Sequence, residues 1–239
     1  TKKYFFFDID GTLGLGISSI IPAEASIACD AHEAGHFVSI ASGRLQHDAQ
    51  SFADRYGIPA VVADGGNSLS LNGDVFEMTG LPLENCKSLL HELDRRGFAW
   101  AVVTDNTITV TRPMIPFLTP TRATNENRRQ THRYRQVETV YKIMYARPEK
   151  KDDEPDSYDL PHLEYIDHTY SSNRRINAAA PAHAGLRRGK PEDAVVFGDG
   201  FNDITMFKKP FFSIAMGNAR EALKERADYI TDDHDKGGF

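Results

Sequence analysis

Residues 4–16 read "YFFFDIDGTLGLG": four aromatic side chains in succession, two aspartates two positions apart, then three glycines within six residues. A short, continuous apolar run of this kind is the mark of a strand buried on both faces, as in parallel sheets. This one ends in carboxylates, Asp8 and Asp10, where a strand emerges from the core. Working outward, Ala23–Gly35 carries apolar residues at helical spacing, with Pro22 where a first turn tolerates it and Gly35 as a stop. A second apolar run, "HFVSIA" at 36–41, leads through Ser42-Gly43-Arg44 into a helical stretch reaching about Tyr56. A third, "IPAVVADGG" at 58–66, ends at glycines. Strands alternating with helices predict an α/β fold with a doubly wound, Rossmann-like parallel sheet, whose ligands bind beyond the carboxyl ends of the strands. Asp8, Asp10 and Ser42 all belong to that edge.

From about Leu83 the texture changes. The helical stretch "LENCKSLLHELDRRG" leads into Phe98–Val103 and "NTITVTRP", whose alternation and β-branching predict antiparallel strands. An arginine-rich stretch follows (Arg122, Arg128, Arg129, Arg133, Arg135), then a further strand in "VETVYKIMYA" and a charged loop, "RPEKKDDEPDS". The α/β pattern returns in "PEDAVVFGDGFNDITMF", with a strand at Ala194–Phe197 and a helix starting near Asn202. The expected organisation is one core domain, residues 1–81 and 173–239, interrupted by an α+β module at 82–172.

Composition narrows the function. The chain has 239 residues, 40% of them hydrophobic, enough for a sizeable core. A net charge of −6 argues against nucleic acid, whose phosphates attract basic surfaces. No apolar run approaches the roughly 18 residues that cross a bilayer, so no membrane partner is expected and the protein is read as soluble and cytoplasmic. The two cysteines, Cys29 and Cys86, both fall in helical patterns and offer neither a disulfide framework nor a thiolate metal cluster. A monomer or weak homodimer is expected.

The chemistry lies in three motifs at one sheet edge. One strand delivers Asp8 and Asp10; another delivers Asp199, followed by Asn202 and Asp203. Carboxylates brought together raise one another's pKa unless a cation relieves them. Oxygen-only ligands point to a hard ion such as Mg2+, which commonly shares its shell with a substrate phosphate. Ser42 and Gly43, at a strand-to-helix junction, form a phosphate seat from a hydroxyl, backbone N–H groups and a helix start. Any one of these motifs alone is weak, since Asp-x-Asp, Gly-Asp-Gly and Ser-Gly-Arg are common in turns and caps. Their joint placement after buried strands is the strong signal.

"DIDGTL", "IASGR" and "GDGFNDITMF" resemble motifs one, two and four of the haloacid dehalogenase superfamily of phosphohydrolases, and "SIAMGNAREALKERADYITDD" is similar to the tail of its Cof-type, large-cap branch (class IIB). The resemblance covers Lys3–Gly80 and Pro191–Asp233, while the middle matches only in length and texture. It implies a Rossmann-like core, a type-two cap inserted from about Pro82 to Ser172, and a Mg2+-dependent phosphatase acting on a small phosphorylated metabolite. Under it Asp8 is the nucleophile that forms an aspartyl-phosphate, and Asp10 the acid and base. The Asp8 carboxylate, the Asp10 backbone carbonyl and Asp199 hold the metal; Asn202 and Asp203 order the ligands and water around it, and Ser42 binds the phosphoryl group.

One departure concerns the family's third motif, a lysine about two dozen residues before the fourth-motif aspartate. Here that window reads "TYSSNRRINAAAPAHAGLRRGK", with no lysine at the expected place, and Arg175, or failing that Arg174, is assigned the cation's role. Two alternatives share the early residues: a phosphosugar mutase, and a non-hydrolytic phospho-acceptor or binding protein. Intact Asp10 argues against the latter, and release of free phosphate separates hydrolysis from both. Sugar phosphate, flavin mononucleotide and pyridoxal phosphate all remain open as substrates.

Overall fold

The computed structural model describes residues 2–14, 21, 27–96, 99–104, 137–147, 164–170, 173–179 and 189–238. The chain divides into two compact units, Thr1–Met78 with Ala182–Phe239, and Thr79–Pro181.

The first unit is built on an eight-stranded sheet. Its strands are β1 (Tyr4–Phe7), β2 (Phe37–Ala41), β3 (Ala60–Ala63), β4 (Ser68–Leu71), β5 (Asp74–Met78), β10 (Ala194–Gly198), β11 (Phe212–Ala215) and β12 (Tyr229–Ile230), in the order β12-β11-β10-β1-β2-β3-β4-β5. Pairing is parallel from β12 to β3 and antiparallel from β3 through β5. The aromatic run explains the centre. Successive side chains of a strand point to opposite faces, so Phe7 joins one core with Val38, Ile40, Phe52 and Val61, while Phe6 joins another with Val196, Met206, Phe211 and Leu223. Helix α2 (Gln46–Arg55) covers the first face with buried Ala49, Phe52 and Ala53; Phe7 stacks on Phe197 of the neighbouring strand at 4.5 Å between ring centroids.

The antiparallel edge departs from the all-parallel expectation. Asn72 and Gly73, both at positive φ (52° and 85°), turn β4 back into β5. An Asn-Gly turn with positive φ at both positions suits a two-residue hairpin, because its twist matches that of the strands. Helix α1 is described over Ile27–Glu33. The helix expected near Asn202 is a single 3₁₀ turn, Phe201–Asp203, followed by turns through Met206.

The second unit has its own four-stranded antiparallel sheet, in the order β6 (Ala99–Val103), β7 (Lys142–Arg147), β9 (Asn173–Ala179), β8 (Glu164–Tyr170). Helix α3 (Leu83–Arg95) buries Cys86, Leu89, Leu90 and Leu93, spacings that place them on one face, with Trp100, Val102, Ile143 and Tyr145 in the same core. Each leucine so buried contributes about 1.5–3 kcal/mol. The unit runs beyond the expected 82–172 because β9 is hydrogen-bonded between β7 and β8, which ties Asn173–Ala179 to this sheet rather than to the core. The segment 106–113, the five arginines of 122–135 and the loop at 148–157 lie outside the described residues.

Candidate active site

Register brings the acidic residues together. Phe7 of β1 pairs in parallel with Phe197 of β10 and with Ile40 of β2, so the chains of all three strands leave the sheet at the same edge. Asp8 follows β1 directly, its N–H bonded to the Phe197 carbonyl (3.1 Å), and Asp199 follows β10. Ser42 follows β2, its N–H bonded to the Val62 carbonyl (2.9 Å). Of the N–H groups expected to face an anion, Ser42's is therefore spent on the sheet and Arg44's donates to Ser42 Oγ (3.2 Å).

Asp8, Asp199 and Asp203 each present a carboxylate oxygen within 4.8 Å of the others. Asp8 and Asp203 are 3% and 1% exposed, so neither can be solvated by bulk water. Burial, then the charges of Asp203, Asp199 and Asp10, push the Asp8 carboxyl well above its ordinary range. Burial pushes Asp203 to about 8, against the N–H bonds of Gly200 and Asp199. Asp199 is raised by burial to about 6, with the Thr12 hydroxyl, which donates to its Oδ1 (3.2 Å), opposing. A buried carboxylate trio is stable in ionised form only against a cation, and an all-oxygen donor set suits a hard divalent ion. The residues present thus fit the metal implied by the sequence.

Asp10 stands apart from the trio. Its carboxylate is about half exposed and engaged by Arg44, Nε to Oδ2 at 2.7 Å and Nη2 to Oδ1 at 2.5 Å. Asn202 Nδ2 donates to Asp203 Oδ1 (3.0 Å), and Asn202, Asp203, Ser42 and Gly43 line one cleft together with Gly65 and Gly66.

Two glycines make the close approach possible. At Gly11, with φ of +90°, a Cβ would lie 2.3 Å from Asp199 Oδ2; at Gly198 it would lie 2.6 Å from Asp203 Cβ. Asn218 Nδ2 donates to the Gly11 carbonyl (2.8 Å), while its Oδ1 accepts from the His234 N–H (2.9 Å), pinning the loop after the acidic pair to the C-terminal segment.

Asp8, Asp10, Ser42, Gly43, Asp199, Asn202 and Asp203 all lie in the first unit. Arg175 lies in β9 of the second unit, paired in register with Ala146 and His168. Arg44, Thr12 and Asn218 carried no assigned role in the sequence, although each sits inside a quoted motif. What singles them out is a contact distant in sequence, invisible without the fold.

The chain is similar over its length to characterised proteins. It is 26% identical to the 5-amino-6-(5-phospho-D-ribitylamino)uracil phosphatase YwtE of Bacillus subtilis, over 99% of this chain and 95% of that one. It is 23% identical to the pyridoxal phosphate phosphatase YbhA of Escherichia coli, over 98% and 94%. Among solved structures it superposes on BT1666 from Bacteroides thetaiotaomicron, a phosphatase of the haloalkanoate superfamily, with a TM-score of 0.75 at 22% identity, covering 100% of this chain and 92% of the other. Among the described residues no helix is long and apolar enough to cross a membrane. Haloacid dehalogenase-like hydrolases match residues 5–239, and with the acidic edge built as described, the chain belongs to that family.

Proposed function

We propose that the protein is a Mg2+-dependent phosphatase of a small phosphorylated metabolite, working through an aspartyl-phosphate on Asp8. The observation that carries this reading is the division of labour among the carboxylates. A trio of carboxylates, two buried and one half-buried, fits a dication, while a fourth, on Asp10, stays half exposed and outside it.

Asp8 supplies the nucleophilic oxygen. It attacks phosphorus, the bond to the leaving oxygen breaks, and Asp10 gives that oxygen a proton. Water then attacks the phosphoryl group on Asp8 while Asp10 takes its proton back, releasing inorganic phosphate and restoring the carboxylate. Ser42 Oγ and the Gly43 backbone seat the phosphoryl oxygens. Bound at Asp8, Asp199 and the Asp10 carbonyl, with Asp203 and Asn202 ordering the surroundings, Mg2+ would neutralise charge on the equatorial oxygens. With the likeness to YwtE and YbhA the substrate class is a phosphorylated sugar or cofactor.

A panel of phosphorylated metabolites assayed for free phosphate, with Mg2+ and with chelator, tests the reading. Release from at least one member, lost in chelator, is expected. No release from any member, or unchanged release in chelator, would sink it.

A further inference from the structure

Each carboxylate at the sheet edge is held by a partner of its own. Asp8 accepts from the Ile9 N–H, Asp199 from the Thr12 hydroxyl, and Asp203 from two backbone N–H groups and Asn202. Asp10 is the most exposed of the four, and its partner is the Arg44 guanidinium. Two parallel hydrogen bonds fix the plane of a carboxylate as well as its place, which a single contact cannot do. The fork uses two of the roughly four lone-pair positions that a carboxylate offers, leaving the rest for a proton. Arg44 is itself anchored. Its N–H donates to Ser42 Oγ, and its carbonyl accepts from the Asp64 N–H at 2.8 Å. One residue therefore joins the phosphate seat to the acid.

We propose that Arg44 is a positioning residue, setting the orientation in which Asp10 passes a proton to the leaving oxygen. This rests on the phosphatase reading above. Proton transfer needs a heavy-atom separation of about 2.6–3.2 Å, so an Asp10 free to swing would serve poorly wherever the leaving oxygen needs a proton.

The test compares kcat/KM, which reports events up to leaving-group departure, for two esters. One is a sugar phosphate turned over by the wild type, whose alkoxide must be protonated. The other is 4-nitrophenyl phosphate, whose phenolate departs with little help. Arg44→Ala should lose about 10²-fold on the sugar phosphate and roughly tenfold less on the aryl ester, within the range that general acids supply. Arg44→Lys, keeping the charge without the fork, should show the same skew at smaller size. Adding Arg44→Ala to Asp10→Asn should not increase the skew that Asp10→Asn already shows. Equal losses on both esters, or no loss with either variant, would overturn the inference. Should the wild type hydrolyse neither ester nor any metabolite, the phosphatase reading itself fails, and this inference with it.

Discussion

At the residue scale, the site turns on what single atoms permit. Asp8→Asn keeps the shape of a side chain that is 3% exposed but replaces the oxygen proposed as nucleophile with an amide. Phosphate release should fall by about 10³-fold or more, while the far-ultraviolet dichroism and melting curve stay those of a folded protein. Unchanged hydrolysis of an aryl phosphate would remove Asp8 from its role. Gly11→Ala should act through geometry alone. Its Cβ would meet Asp199 Oδ2 at 2.3 Å, in a backbone conformation that costs a non-glycine residue about 1–3 kcal/mol. Two losses are expected, a lower melting temperature and a higher Mg2+ requirement, both read from one titration series. A variant with wild-type metal dependence would mean that Asp199 does not need this close approach. The sequence displayed Gly11 plainly within "DIDGTL", but not its reason, which is a carboxylate 188 positions further on.

At the scale of elements, legibility followed the strength of the local pattern. β1 and β10 were readable as strands because every side chain in "YFFF" and "AVVF" is apolar or aromatic, and their carboxyl ends name the site. The β4–β5 hairpin carried its own signal, Asn72-Gly73 between alternating residues, and went unread beside the stronger parallel pattern. β8 and β9, "EYIDHTY" and "NRRINAA", are too polar to announce themselves; the pairing of β9 with β7, and of β8 with β9, decides them. The junction of α2 with β4 is another feature that no period reveals. Buried Ser68 donates to Gln46 Oε1, and Gln46 Nε2 donates to Ser70 Oγ (2.9 Å), so a polar seam joins the helix that follows the phosphate seat to the sheet. Ser68→Ala leaves the Gln46 carbonyl buried without that donor, which should cost about 1–3 kcal/mol in a urea denaturation experiment. A midpoint equal to wild type would show that water reaches the seam.

At the scale of the whole molecule, the clustered carboxylates make stability a function of pH and, under the proposed function, of metal. Without a cation, Asp203 is pushed to about 8, Asp199 to about 6, and Asp8 well above its usual range. Between the ordinary carboxylate value and these raised ones, the folded chain holds protons that the unfolded chain has released. Stability changes with pH as 2.303RT times the protons bound unfolded minus those bound folded, so here the slope is negative. The metal-free protein should therefore weaken as pH rises from about 5 to about 8.5. Nine histidines and a net charge of −6 also contribute over this range, so the diagnostic quantity is the gain from Mg2+ rather than the melting temperature alone. Under the proposed function the ion competes with protons for the trio, and a ligand that binds only the folded state stabilises it according to its occupancy. Melting in saturating Mg2+ against chelator should give a small gain near pH 5.5 and a gain of roughly 5 °C or more near pH 8.5, about 1–2 kcal/mol for a chain of this size. Asp203→Asn, which removes the protonation placed at about 8, should flatten the metal-free slope. A gain from Mg2+ equal at both pH values, or a metal-free protein that strengthens across the window, would mean that the trio is not where the ion and the protons compete.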